Sequence, residues 1–122
     1  MAASFRERAE AELRRGILQL AVLSLLREPT YGYDLIRVLD GHGLQTEEGT
    51  LYPILRRLAK DGLLASTWDT SGSRPRKYYE STDEGVRVLR ELSREWSRVN
   101  ASLQTILEET GALDDGTDAP QP

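Results

Sequence analysis

The chain has 122 residues, which is enough for one compact domain whose core needs no covalent staples. It has no cysteine, which excludes disulfides, thiolate metal sites and cysteine nucleophiles, and its one histidine, His42, argues against a metal site or a histidine-based triad. No apolar run is long enough to span a bilayer and the N-terminus lacks a signal-peptide pattern. We therefore expect an intracellular, soluble protein with no membrane segment.

The net charge of −4 is unevenly distributed. Five carboxylates and no basic residue follow Leu107, whereas residues 1–107 contain 16 basic and 15 acidic residues, a net charge of +1. Within that part the basic residues form two clusters, Arg56, Arg57 and Lys60 in one and Arg74, Arg76 and Lys77 in the other. The acidic total therefore does not exclude a nucleic-acid partner.

The first two predicted elements are helices. The first runs from Phe5 to Arg27 and is apolar nearly all round in its second half, which is typical of a buried helix. Pro29 stops it, and Thr30 is predicted to cap the second helix through its hydroxyl. The buried face of the second helix is predicted to carry Tyr31, Leu35, Val38 and Leu39.

The third predicted helix follows a break at residues 41–43. It opens at Thr46 or Glu47 and ends at Asp61-Gly62, with glycine in the left-handed conformation. Its apolar face consists of Leu51, Ile54, Leu55 and Leu58, and its outward face of Gly49, Pro53, Arg56 and Lys60, with Tyr52 and Arg57 on the flanks. The outward face is thus small near its start and cationic beyond, which suits a helix in a DNA major groove. An ordinary solvated face is the alternative.

A hairpin and a long helix complete the chain. Segments Leu64–Thr70 and Arg76–Glu80 favour strands around a turn-rich centre. Ser81 and Glu84 form a predicted capping box for a last helix that runs to about Thr110 and stops at Gly111. The remaining tail is acidic and without periodicity, and is predicted to be disordered.

This order predicts a mainly α fold with a small β-hairpin, namely a winged helix-turn-helix followed by a long C-terminal dimerisation helix. The predicted domains are a DNA-binding domain (1–80), a dimerisation helix (81–110) and an acidic tail (111–122). Clustered positive charges at Arg74, Arg76 and Lys77 repel one another unless an anion lies near. This cluster therefore indicates that the hairpin is a wing that contacts DNA phosphates. A solubilising loop is the alternative.

The last helix carries a narrow apolar seam with 3-4 spacing. Its members are Leu89, Leu92, Trp96, Val99, Leu103 and Ile106. Such a seam is typical of pairing with another helix, and we expect a homodimer through this helix and the first one. Trp96, with Leu92 and Val99, is a candidate pocket for a flat apolar effector, although a tryptophan here can equally be core.

Three stretches, "YGYDLIRVL", "GTLYPILRRLAKDGLL" and "SRPRKYYESTDEGVRVL", resemble the PadR family of bacterial transcriptional regulators. The resemblance covers about Leu13 to Ile106, and the single C-terminal helix is similar to the short subfamily. One departure is Glu47-Glu48, where many relatives have Ser-Pro, since two carboxylates at this point oppose phosphate binding.

The resemblance implies a cytoplasmic bacterial winged-helix dimer that binds an inverted-repeat DNA operator, usually as a repressor. It implies that Thr50, Tyr52, Pro53 and Arg56 lie at the major groove. We add Arg57, Lys60 and the wing cations as DNA-binding residues, expect a small molecule or other signal to release the operator, and expect no enzyme activity, cofactor or metal. The alternative is a ligand-binding or protein-interaction module with this fold that does not read DNA, which Glu47, Glu48 and the acidic tail favour.

Overall fold

The computed structural model describes residues 4–114. Its elements in chain order are α1 (Phe5–Leu25), β1 (Thr30–Tyr31), α2 (Gly32–Gly41), α3 (Glu48–Lys60), β2 (Leu64–Asp69), β3 (Arg76–Ser81) and α4 (Asp83–Thr110). The chain forms two compact units, one that ends at Arg90 and one that begins at Glu91. The predicted fold class is confirmed, with one strand more than the sequence indicated. The predicted domain boundaries stay a prediction.

Helix α1 begins with a reciprocal cap. The Ser4 hydroxyl accepts from the Glu7 amide at 3.1 Å, and the Ser4 amide donates to the Glu7 carboxylate at 3.0 Å, which lowers the pKa of Glu7. The helix ends at Leu25, two residues before the predicted Arg27. Its second half is anchored by Leu18, Val22 and Leu23, which are fully buried.

The predicted cap of α2 is wrong. Thr30 belongs to strand β1 and its hydroxyl donates to the Glu28 carbonyl at 2.9 Å, while Tyr31 is the N-cap residue and makes no side-chain cap. Both residues pair with β3, at Tyr79 and Tyr78. A β-branched and an aromatic residue fit this edge position better than a helix start, because the ladder satisfies their backbone groups. Tyr31 is consequently not on the buried face of α2, and Val38 is exposed there.

Helix α3 has its predicted faces and ends. Glu47 is its N-cap residue, and Gly62 follows its end with φ of 80°. Pro53 lies inside the helix and deprives the Gly49 carbonyl of a partner. Both residues are exposed, so water can hydrogen-bond that carbonyl. The opposite face is buried through Leu51, Ile54, Leu55 and Leu58.

The three strands form one antiparallel sheet in the order β1-β3-β2. The register of the predicted hairpin pairs Leu64 with Ser81 and Asp69 with Arg76. The core lies between this sheet and helices α1 to α3. It consists of Leu18, Val22, Leu23, Leu26, Leu35, Leu39, Leu51, Ile54, Leu55, Leu58, Leu64 and Tyr79.

The predicted capping box of α4 is also wrong. Ser81 ends β3 and its hydroxyl donates to the Leu23 carbonyl at 2.7 Å, whereas the Thr82 hydroxyl accepts from the Gly85 amide at 3.0 Å. Thr82 also donates to the Gly62 carbonyl at 2.7 Å, so one side chain joins the end of α3 to the start of α4. Glu84 instead pairs with Arg87.

A close backbone approach explains the glycine at residue 85. A Cβ atom built there would lie 2.1 Å from the Leu63 carbonyl oxygen, a distance that no real contact permits. Any side chain would therefore separate the first turn of α4 from the turn that follows α3.

The second unit contains α4 from Glu91 onward, and this helix stops at Gly111 as predicted, where φ is 66°. Five seam residues of this segment have exposed fractions from 43% to 55%, and they are Leu92, Trp96, Val99, Leu103 and Ile106. Leu89, the sixth predicted member, belongs to the first unit and packs against its core. Most of the tail that was predicted to be disordered, residues 115–122, lies outside the described residues.

Candidate nucleic-acid interface

The outward face of α3 has the predicted composition. Gly49, Pro53, Arg56 and Lys60 are exposed on the side opposite the buried leucines. A helix of 13 residues is about 20 Å long, and its diameter suits the roughly 12 Å wide major groove of B-DNA. This face can therefore enter a groove without unfolding any part of the core.

The exposed residues of α3 have different surroundings along the two sides of the helix. Arg57 and Pro53 line a narrow groove with Arg15 of α1. Thr50, in the first turn, borders a cleft of about 620 Å³ that Arg37 also lines. Burial raises the pKa of Tyr79 and the positive charge of Arg56 opposes that rise, so Arg56 lies on the side of β3.

Tyr52 is only partly exposed because it packs between α3 and α2. A Cβ atom on Gly32 would lie 2.8 Å from Cε1 of its ring, so the glycine of the Tyr-Gly-Tyr stretch makes room for this side chain. Burial, followed by the negative charge of Glu48, raises the pKa of Tyr52. Tyr52 thus fixes α3 against α2 and is only partly accessible to a ligand.

We call β2, the loop 70–75 and β3 the wing. Its turn is fixed by Asp69, whose carboxylate accepts from the amide and the hydroxyl of Ser71 at 2.9 and 2.6 Å. These bonds, and one from the Tyr31 hydroxyl at 2.9 Å, lower the pKa of Asp69. A hydroxyl interaction with Tyr78, burial and the bond to Asp69 raise the pKa of Tyr31 to about 12. The wing is thereby joined to β1 through polar side chains.

The wing cations do not share one environment. Arg74 is exposed in the loop. Arg76 lies over the Tyr31 ring, 4.8 Å from its centroid, and Tyr31 stacks on Tyr78 with centroids 3.8 Å apart. Lys77 is half-buried, with its ammonium 5.6 Å from the ring centroid of Trp68. The sequence predicted one cluster; all three cations line one cleft, but Arg76 and Lys77 extend from opposite faces of β3 and contact different rings.

The α3–wing surface, meaning the outward face of α3 together with the wing, is rich in unpaired positive charge. Within residues 4–114, Arg56, Arg57, Lys60 and Arg74 form no ion pair. The carboxylates of Glu47 and Glu48 lie at the start of α3 and reduce the positive potential there. The surface therefore suits a polyanion along the second half of α3 and the wing.

Sequence reasoning missed Tyr33 and Trp68, two large aromatic side chains that are exposed beside the wing cations. The alternation of the predicted strands could have found Trp68, because cross-strand pairing places it opposite Lys77. Tyr33 had no such signal, because its position depends on how β1 leads into α2.

No group of three or more His, Asp or Glu side chains between residues 4 and 114 is placed to bind a metal ion. His42 interacts through Nδ1 with the Val38 carbonyl at 2.9 Å at the end of α2. None of the described helices has both the length and the apolar character needed to cross a bilayer.

Three helices, a β-hairpin wing and an exposed cationic face on the third helix define a winged helix-turn-helix protein of the DNA-binding class. Residues 20–91 match the family model described as "Transcriptional regulator PadR-like family". The chain belongs to this family, whose members are DNA-binding transcriptional regulators and not enzymes.

Similar proteins agree with this assignment. A crystal structure of a PadR family transcriptional regulator from Eggerthella lenta is 53% identical, with a TM-score of 0.79 over 84% of this chain and 91% of that one. A PadR-like transcription factor from Bacteroides fragilis is 38% identical, with a TM-score of 0.69 over 81% and 98%. Transcriptional regulator Rv3488 of Mycobacterium tuberculosis is 36% identical over 92 residues, which are 69% of this chain and 86% of that protein.

Proposed function

We propose that the protein is a homodimeric repressor that binds an inverted-repeat operator through its α3–wing surface and leaves it on a small-molecule or other signal. The DNA-binding residues in this proposal are Thr50, Tyr52, Pro53, Arg56, Arg57, Lys60, Arg74, Arg76 and Lys77. The observation that carries it is the exposed cationic face of α3 in the same compact unit as a cationic wing. A dimer bound at a promoter represses because it occupies DNA that the polymerase needs.

The dimer part of the proposal rests on the exposed seam of α4. Five apolar side chains at 3-4 spacing, each about half exposed, are far more than a solvated helix face carries. Phe5 and Leu13 of α1 are also exposed, and in a dimer they would add apolar surface to the interface. Pairing along α4 by a twofold axis would hold two copies of α3 at a fixed separation, which a palindromic operator with half-sites about 34 Å apart requires.

The signal in this proposal acts at the seam. Trp96 is 46% exposed between Leu92 and Val99, so two copies facing each other can enclose a flat apolar compound. We expect a planar apolar cation to quench the emission of Trp96, measured in a Trp68→Phe protein where Trp96 is the only tryptophan. If emission stays constant across a panel of such compounds, the signal does not act through this pocket.

The DNA-binding part is tested with Arg56→Ala and a fluorescent duplex that carries the promoter of the protein's own gene. We expect binding about 10- to 100-fold weaker, since loss of a phosphate or base contact costs about 1 kcal/mol in each of two subunits. Anisotropy at low salt gives the affinity.

Arg90→Ala is the matched control, because it removes the same charge from an exposed position on α4. It should bind the duplex almost as tightly as the parent protein. Equal losses of affinity in the two variants would mean that α3 makes no specific contact with the duplex and that only the total charge of the protein matters.

The alternative function, a module that binds a ligand or protein without reading DNA, makes the opposite prediction for the same measurement. Glu47 and Glu48 at the start of α3 are the features that favour it. Under this alternative no promoter duplex binds at low salt in preference to a scrambled duplex of equal length.

A further inference from the structure

A cleft of about 690 Å³ lies between the wing and the start of α2. Among the described residues, five aromatic and four cationic side chains line this cleft, and Asp34 is the only carboxylate that lines it. Asp34 is itself 3.9 Å from Arg37, another lining residue. The cleft therefore joins a positive potential to flat apolar surfaces.

Two of the aromatic side chains that line the cleft are exposed to solvent. Trp68 of β2 is 60% exposed and Tyr33 of α2 is 61% exposed. One exposed aromatic side chain needs no explanation, but two that line the same concave, cationic surface indicate contact with a partner.

Lys77 is held against this cleft. Its ammonium lies 5.6 Å from the ring centroid of Trp68 and 5.5 Å from that of Tyr79, so two rings limit its movement. Trp68 and Lys77 are directly paired across β2 and β3, hence on the same face of the hairpin. Arg76, the next residue, extends from the other face of the hairpin and borders the cleft over the ring of Tyr31, which also lines it. Lys77 thus acts beside the cleft and not at the tip of the wing.

The cleft borders α3 on one flank of its outward face. Tyr52 of α3 and Tyr79 of β3 both line it, and Arg56 is close enough to Tyr79 to affect its pKa. A duplex that covers Arg56 would therefore extend over the cleft, where its phosphates complement the cations and its sugars match the rings.

We infer that one sugar-phosphate strand of the operator runs through this cleft, with Lys77 contacting a phosphate and Trp68 packing against the adjoining deoxyribose. The inference rests on the proposed DNA-binding function and assigns Trp68 and Tyr33 to the DNA-contacting surface. Trp68 acts both as a contact and as the side chain that positions Lys77.

The test compares the parent protein with Trp68→Phe during titration with the promoter duplex, with anisotropy of the labelled duplex recording binding in parallel. We expect emission of the parent protein to fall as the duplex saturates it, and we expect this fall to disappear in Trp68→Phe although that variant still binds. Trp68→Ala should bind about 10-fold more weakly. Thr67→Ala, an exposed neighbour on the other face of β2, should bind like the parent.

The possible outcomes distinguish a failure of the cleft contact from a failure of DNA binding itself. Binding without quenching, equal quenching in the parent and Trp68→Phe, or full affinity of Trp68→Ala would overturn the wing-cleft inference and leave the DNA-binding proposal intact. Absence of duplex binding by the parent protein at low salt would overturn the DNA-binding proposal itself. Should Trp68→Ala fail to fold, the quenching comparison with Trp68→Phe still decides.

Discussion

Leu103→Asp is expected to convert the proposed dimer into monomers and to raise its dissociation constant by about 1000-fold. Leu103 lies near the middle of the exposed seam on α4. A twofold axis would bury it in both subunits, so the change removes about 2 kcal/mol of apolar burial twice and places two carboxylates close together. The total of about 4 kcal/mol corresponds to the stated factor. Sedimentation velocity across a range of concentrations measures it directly.

Operator binding should fall with the dimer, because each monomer then binds one half-site alone. Ala101→Asp is the matched control, since it adds the same charge two residues away, on the face of α4 opposite the seam. It should remain dimeric with unchanged affinity. Circular dichroism checks that both variants keep their helices. A Leu103→Asp protein that sediments as the parent does would place the interface elsewhere.

Replacing Arg74, Arg76 and Lys77 together by alanine is expected to weaken operator binding by about 1000-fold at low salt. The dimer then loses six cations, each of which contributes about 0.9 to the slope of log affinity against log salt if it contacts a phosphate. The slope should therefore become shallower by up to about 5. Affinities measured between about 0.05 and 0.3 M salt give this slope.

Arg90→Ala/Arg94→Ala/Arg98→Ala is the control for total charge, because it removes as many cations from the α4 face opposite the seam. Its slope should change little. Of the single wing variants, Arg76→Ala should change the slope least, since the Arg76 guanidinium lies against the Tyr31 ring. A wing triple variant that retains both its affinity and its salt dependence would remove the wing from the interface.

Local signals in the sequence were sufficient to predict where most helices and strands begin and end. Gly62 and Gly111 end helices as predicted, Gly62 in the predicted left-handed conformation, and the Ser71–Pro75 region forms the predicted turn of the hairpin. The two faces of α3 were also predictable, because they depend only on the helical period and on residue polarity. The candidate residues Arg56 and Lys60 follow from the same pattern.

Two features depended on contacts between segments distant in sequence. Thr30 is a good helix cap by itself, but pairing with Tyr79 draws it into a third strand. Ser81 resembles a cap as well, but its hydroxyl is engaged by the Leu23 carbonyl, and Thr82 caps α4 instead. Local propensities are worth about 1 kcal/mol or less, so a tertiary hydrogen bond is enough to override them.

The amino-acid sequence alone thus determined the class of this protein, since periodicity, caps and turn residues act over a few neighbouring positions. Only the tertiary structure decided how the wing cations are shared between two environments. That division depends on Tyr31, Trp68 and Tyr79, which strand pairing brings to Arg76 and Lys77 from distant or alternate positions. Composition cannot reveal it, because a cation's effect depends on the surface against which it is held.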